Sequence, residues 1–157
     1  MQKAIAHQSQ NSFQSEAVKN KIRWLRISYW VGAILDGLYV IPMLVPQWAG
    51  ALFGVPNFPT TPEIRYVFHV GAALMAGWTA LLIWADRKPA QRRDVLLLTL
   101  FPVKAGLDLA SIAFGLSGAV PLSRLLISKI DSVGLWVLFT YSYLNSRDLA
   151  AGSAHEQ

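Results

Sequence analysis

The sequence predicts an all-α integral membrane protein, a bundle of four transmembrane helices with both termini in the cytoplasm. Of its 157 residues, 54% are hydrophobic and only 15% are charged, whereas an ordinary soluble domain carries about 25% charged residues. Four long apolar stretches divide the chain, and most of the basic residues lie between these stretches or at their ends. Together, the composition, the stretches and the charge pattern indicate a small membrane protein with a single domain.

The four apolar stretches occupy residues 27–45, 66–85, 95–120 and 125–144. Each is close to the roughly 20 residues that a helix needs to cross a 30 Å hydrocarbon core. Because lipid cannot satisfy backbone polar groups, the stretches are predicted to be helices, at about residues 24–45, 65–86, 94–119 and 122–145. The third is long enough to be tilted, or to be broken at Pro102. Residues 22–147 form the membrane domain, and residues 1–21 and 148–157 are predicted to be polar tails.

The segments between the stretches resemble turns. Pro46 ends the first stretch, and Thr61, Pro62 and Glu63 provide a cap residue, an early proline and an acidic first turn for the second helix. Only the connection at 47–61 is long. Its aromatic residues are typical of a segment that rests at the membrane surface, where we expect a short amphipathic piece.

The positions of the basic residues predict the orientation. Ten of the fourteen lie in the N-terminal tail, the 86–94 loop and the C-terminal tail: Lys3, Lys19, Lys21, Arg23, Arg26, Arg87, Lys88, Arg92, Arg93 and Arg147. Arg65 and Arg124 lie on the opposite side, so the positive-inside rule places both termini in the cytoplasm. No basic stripe alternates with exposed aromatic residues, so no nucleic-acid partner is expected despite the net charge of +5.

Six titratable residues interrupt the apolar stretches: Asp36, His69, Lys104, Asp108, Lys129 and Asp131. A charge at mid-membrane costs about 2.5–3.5 kcal/mol, so such groups must be paired, neutralised or close to water. Counted along the helices at about 1.5 Å per residue, all six lie between the midplane and the outer surface. Their common depth on four helices predicts a polar pocket in the outer half of the membrane.

Helical spacing assigns faces to these residues. Lys104 and Asp108 are four residues apart and can pair along one helix. Lys129 and Asp131 are two apart and cannot both face the bundle centre. We expect Asp131 to point inward and Lys129 to extend to the outer interface. The predicted pocket is lined by Asp36, His69, Lys104, Asp108 and Asp131, with Tyr39 and Trp78 as apolar walls.

A structural interpretation competes at each of these positions. The Lys104–Asp108 pair also fits a bridge that closes the bundle, and His69 also fits an interfacial residue bonded to a carbonyl. Asp36 has no oppositely charged neighbour on its own helix, which makes it the strongest functional candidate. The chain has no cysteine, and its other histidines lie in the tails. No metal site and no cofactor are therefore predicted.

Residues 32–94 resemble the small four-helix bacterial membrane proteins of the DoxX-like group. The shared features are a glycine-bearing first helix, Pro46 followed by Phe53-Gly54, the Gly71-Ala72-Ala73-Leu74 run, and the charged turn at 85–89. The resemblance implies a four-helix fold in a bacterial inner membrane and an accessory role beside a quinone-linked oxidoreductase. It implies no catalytic residue. Asp36 is also similar in position to the acid of the first helix in small multidrug transporters, which we treat as an analogy.

The favoured function is the binding of a small or lipid-like molecule in this pocket, coupled to proton movement through the intramembrane carboxylates. Two other classes stay open. One is an accessory or structural subunit of a larger membrane complex, or a homo-oligomer. The other is a membrane-embedded isomerase. The sequence favours a non-enzymatic role, because no hydrolase elbow, phosphate loop or dinucleotide fingerprint is present.

Overall fold

A computed structural model describes residues 2–53, 60–118 and 122–149. Within those ranges, the side chains of residues 2–13, 46, 51–53, 114, 122, 124–128 and 131 are not described. The described backbone contains helices and turns and no strand. The predicted all-helical class is therefore confirmed.

The helices follow one another with short connections. They are α1 (Gln2–Leu44), α2 (Pro46–Phe53), α3 (Pro62–Asp86), α4 (Asp94–Leu98), a kinked segment (Thr99–Lys104), α5 (Ala105–Leu116) and α6 (Leu122–Asn145). α1 packs mainly against α3, and α6 contacts α1, α4 and α5.

Three stretches are long and apolar enough to cross a membrane by length and composition: Gln14–Leu44, Pro62–Asp86 and Asp94–Ala113. Large apolar side chains on these stretches, such as Leu74 and Leu109, are exposed on the outside of the protein. A soluble protein would bury most side chains of this size. The fold is thus that of a membrane protein. α6 is a further helix of 24 residues with a more polar first half.

The observed helix ends refine the predicted ones. The Thr61 hydroxyl accepts a hydrogen bond from the Ile64 N–H at 3.5 Å, and Pro62 opens α3, as the sequence pattern predicts. The sequence predicts a separate tail before residue 22, but α1 begins at Gln2 and continues through this segment. The segment contains no glycine or proline and is rich in alanine, glutamine and lysine. Such residues favour helix even where they bury nothing.

The third apolar stretch is broken at Pro102. Proline has no N–H to donate, and its ring excludes the preceding residue from the helical region. Phe101 accordingly has an extended backbone, with φ −115° and ψ 120°. The helical hydrogen bonds resume at Ala105, whose N–H reaches the carbonyl oxygens of Leu100 and Pro102. Of the two predicted alternatives, tilted or broken, the structure shows the break.

The hydrophobic core lies at one end of the bundle, next to the turn between α3 and α4. It consists of Leu25, Tyr29, Ala33, Leu82, Ala85, Val95, Leu96, Leu100 and Phe139. α1 and α6 approach closely here because Gly32 has no side chain. A Cβ at Gly32 would lie 3.0 Å from both the Leu82 and the Phe139 side chains.

Polar contacts tie the helices together at the same end. The Tyr29 hydroxyl donates to the Arg92 carbonyl at 3.0 Å, and the Ser28 and Ser142 hydroxyls are 2.7 Å apart in a buried position. Arg92 stacks on the Trp84 ring, 3.3 Å from its centroid. Tryptophan and arginine side chains of this kind are typical of a membrane–water interface.

Candidate functional site

The break in the third stretch positions two charged side chains. Lys104 is the last residue of the kinked segment, and Asp108 lies in the first turn of α5. Their side chains point to the same face because they are four residues apart. The Lys104 ammonium lies 3.0 Å from the Asp108 Oδ1 atom. The pair predicted from the spacing is thus formed.

A second lysine reaches the same carboxylate from α6. The Lys129 ammonium lies 3.0 Å from the Asp108 Oδ1 atom and donates to the Asp108 backbone carbonyl at 3.3 Å. The side chains of Lys104, Asp108 and Lys129 are 16%, 21% and 31% exposed. The three groups form an ion triad between α5 and α6 that remains partly accessible from outside the protein.

Ser132 and Trp136 complete the cluster from α6. The Ser132 hydroxyl lies 2.8 and 2.7 Å from the two Asp108 carboxylate oxygens and accepts a hydrogen bond from Lys104 at 2.6 Å. The Trp136 indole N–H donates to Asp108 Oδ2 at 3.0 Å. Its ring meets the Phe101 ring edge to face, with centroids 5.3 Å apart. Phe101, whose backbone is extended at the break, thereby packs on the cluster. We call Lys104, Asp108, Lys129, Ser132 and Trp136 the Asp108 cluster.

The Asp108 carboxylate has no free acceptor position in this arrangement. A carboxylate offers about four lone-pair sites, and two ammonium groups, one hydroxyl and one indole occupy them. Asp108 therefore holds the two lysines in place and is not available as a general base. The ammonium groups are different, because each donates two hydrogen bonds to described residues and has three N–H donors.

Three residues of the predicted pocket make no described polar contact with the Asp108 cluster. Asp36 is half-buried on α1, whereas Tyr39 and His69 are exposed. In the described part of the chain, none of the three makes a hydrogen bond or ion pair with the cluster. Depth along a helix does not determine the direction in which a side chain points. The structure therefore does not join these residues to the cluster through polar contacts.

Trp78, predicted as a pocket wall, lies between α3 and the kinked segment. Its indole N–H donates to the Thr99 hydroxyl at 3.2 Å, and that hydroxyl donates to the Val95 carbonyl at 2.7 Å. Trp78 also packs against the core residues. It therefore connects α3 to the start of the kinked segment.

The prediction that Lys129 extends to the outer interface is wrong, because the Asp108 carboxylate and carbonyl attract its ammonium into the α5–α6 interface. Asp131 lies in α6, but its side chain is outside the described part. Sequence reasoning also missed Ser132 and Trp136 as site residues. Lys129, Ser132 and Trp136 are three and four residues apart, so they share one helix face. This spacing could have identified the three residues as one polar face of α6.

No group of three or more metal-ligating side chains occurs among the residues that the structure describes. Comparison with protein-family models, curated proteins and solved structures gave no match for this chain.

Proposed function

We propose that this protein binds a small or lipid-like molecule at the Asp108 cluster, within a four-helix membrane domain of a bacterial inner membrane. The observation that carries the proposal is the pair of lysines on one carboxylate, at a break in a membrane-length helix. Irregular backbone and ionisable groups are costly inside a membrane, and they occur where they serve a pathway or a ligand.

The proposed membrane placement has support from both sequence and packing. α6 is 24 residues long and runs beside α1 and α4, so we propose that it crosses the membrane as the fourth span. The basic residues gather with Trp30 and Trp84 around the turn between α3 and α4. This arrangement favours a cytoplasmic location for that turn and for both termini. The proposed location in a bacterial inner membrane is based on the DoxX-like resemblance.

The test is the molecular content of the purified protein. Wild type and Lys129→Met are purified in a mild detergent, and the bound small molecules and lipids are extracted and identified by mass spectrometry. Lys88→Met is the matched control, because it removes one exposed lysine outside the cluster. We expect a molecule that is enriched with wild type and the control and depleted at least severalfold with Lys129→Met. Equal extracts from all three proteins would count against a ligand at the cluster.

A second function, that of a subunit in a larger membrane complex, is favoured by Asp36. This carboxylate makes no hydrogen bond or ion pair with any described residue, although it lies half-buried in a membrane-length helix. A partner chain could supply the missing cation. Stoichiometric copurification of another membrane protein, lost on Asp36→Leu, would favour the subunit over the ligand-binding protein. The isomerase alternative has less support, because Asp108 has no free acceptor position.

A further inference from the structure

The Asp108 cluster contains more positive than negative charge. Two ammonium groups face one carboxylate, and no other described acidic side chain forms an ion pair with either lysine. When ionised, the described side chains of Lys104, Asp108 and Lys129 sum to one positive unit, and the first two lie in a membrane-length stretch. An unbalanced charge there is unfavourable, and an anion would neutralise it.

We propose that the ligand of the Asp108 cluster is an oxyanion, either a carboxylate or a phosphate group. This inference rests on the proposed function and names the chemical class of its ligand. Both lysine nitrogens lie 3.0 Å from the same Asp108 oxygen, so they are close enough to hold one further anionic group between them. Each ammonium has three N–H donors and uses two of them for hydrogen bonds to residues that the structure describes.

The geometry favours binding from the outer surface of the α5–α6 pair. Lys129 is the more exposed of the two lysines, and Ile130 and Val133, which follow it on α6, are exposed as well. On α5, Leu109 and Ile112 are also exposed. An oxyanion attached to a hydrocarbon chain would find ammonium donors and apolar contacts at the same place. A water-soluble oxyanion would use the ammonium donors alone.

The experiment compares matched probes that differ in charge. Purified protein is titrated with oleate against oleyl alcohol, and with glycerol 3-phosphate against glycerol, and the affinities are measured by native mass spectrometry or calorimetry. The oleate pair tests a lipid-borne oxyanion, and the glycerol pair tests a soluble one. We expect at least one anion to bind about tenfold or more tightly than its uncharged partner, a difference of the size that one added ionic contact produces.

Variants assign the preference to the cluster. Lys129→Met removes the excess charge but leaves Asp108 paired with Lys104, and it is expected to abolish the preference. Lys129→Arg keeps the charge and should retain the preference for the anion. The surface control Lys88→Met should retain it as well. A preference that survives Lys129→Met would overturn the assignment to this cluster.

The wild-type titrations do not depend on how well any variant folds. If oleate and oleyl alcohol bind equally, and glycerol 3-phosphate does not bind, the ligand is uncharged; the inference fails and the proposed function stands. If none of the four probes binds, and wild type and Lys129→Met copurify with the same molecules, both the oxyanion inference and the proposed function fail.

Discussion

The Lys129 ammonium lies 3.0 Å from the Asp108 carboxylate, across the interface between α5 and α6. Lys104, four residues before Asp108, contacts the same carboxylate oxygen, so two cations share Asp108. This sharing changes what substitutions should do. Either lysine can be lost while the carboxylate stays neutralised, whereas the loss of both leaves it unpaired.

The two lysines should therefore compensate for each other. We expect Lys104→Met and Lys129→Met, each made alone, to lower the free energy of unfolding by about 1 kcal/mol or less. The double variant should lose more than the sum, because removing the last partner of a buried charge costs about 3–5 kcal/mol at full burial and less where water reaches it. A double-mutant cycle of unfolding in detergent measures the coupling. Additive losses would show that the lysines do not share Asp108.

The Trp136 indole should stabilise the cluster through its hydrogen bond rather than through its ring. Trp136→Phe keeps an aromatic ring against Phe101 and removes the donor to Asp108 Oδ2. Because Ser132 still contacts that oxygen, we expect a loss of about 1–2 kcal/mol in unfolding free energy. Trp48→Phe is the control, since Trp48 is 59% exposed on α2. Equal effects at the two positions would argue against a role for the hydrogen bond.

Two glycines should respond in opposite directions to alanine. At Gly32 the new methyl group would lie 3.0 Å from the buried Leu82 and Phe139 side chains, so overpacking should cost about 1–3 kcal/mol, partly offset by helix propensity. At Gly77 no described atom outside the adjacent residues and backbone of its own helix lies within 4 Å of the position that the methyl group would take, and Gly77→Ala should be neutral or stabilising by up to about 1 kcal/mol. Thermal unfolding in detergent compares the two. A stabilising Gly32→Ala would contradict the close approach of α1 and α6.

The proposed orientation predicts opposite labelling on the two sides of the membrane. The chain has no cysteine, so Asn57→Cys and Gln91→Cys each introduce a single reactive thiol. Gln91 is exposed in the turn between α3 and α4, and Asn57 lies outside the described residues. In intact cells, a membrane-impermeant maleimide should label the cysteine at position 57 and not that at 91. Labelling at position 91 would reverse the orientation.

Asp36 should contribute to proton coupling and little to stability. It forms no hydrogen bond or ion pair with the described residues, so Asp36→Asn should change the unfolding free energy by less than about 1 kcal/mol. Asparagine keeps the volume and hydrogen-bonding capacity but does not take up a proton. We expect the variant to lose the pH dependence of ligand binding, measured by repeating the oleate titration across pH. An unchanged pH profile would exclude Asp36 as the coupling group, and a large stability loss would assign it a structural role.

The sequence by itself determined the helical class and most of the helix ends, and it identified Pro102 as the position of one of the two alternatives for the third stretch. These features depend on local properties: the length of an apolar run, the missing N–H of proline and the cap at Thr61. The Lys104–Asp108 pair belongs to the same group, since spacing along one helix brings the two side chains together. The helical N-terminal segment was missed because polarity alone suggests a separate tail, whereas the helix propensity of its residues favours a continuous helix.

Only the tertiary structure decided which helices share the charges. Sequence spacing orders residues by depth, but the rotation of each helix about its axis depends on packing with its neighbours. Gly32 lets α1 approach Leu82 and Phe139, and the core forms at that end of the bundle. Beyond the core, α5 packs against α6, so Lys129, Ser132 and Trp136 contact Asp108, whereas Asp36 and His69 make no described polar contact with it. The attraction of a second lysine to a shared carboxylate is a contact between helices, and local sequence carries only the spacing that permits it.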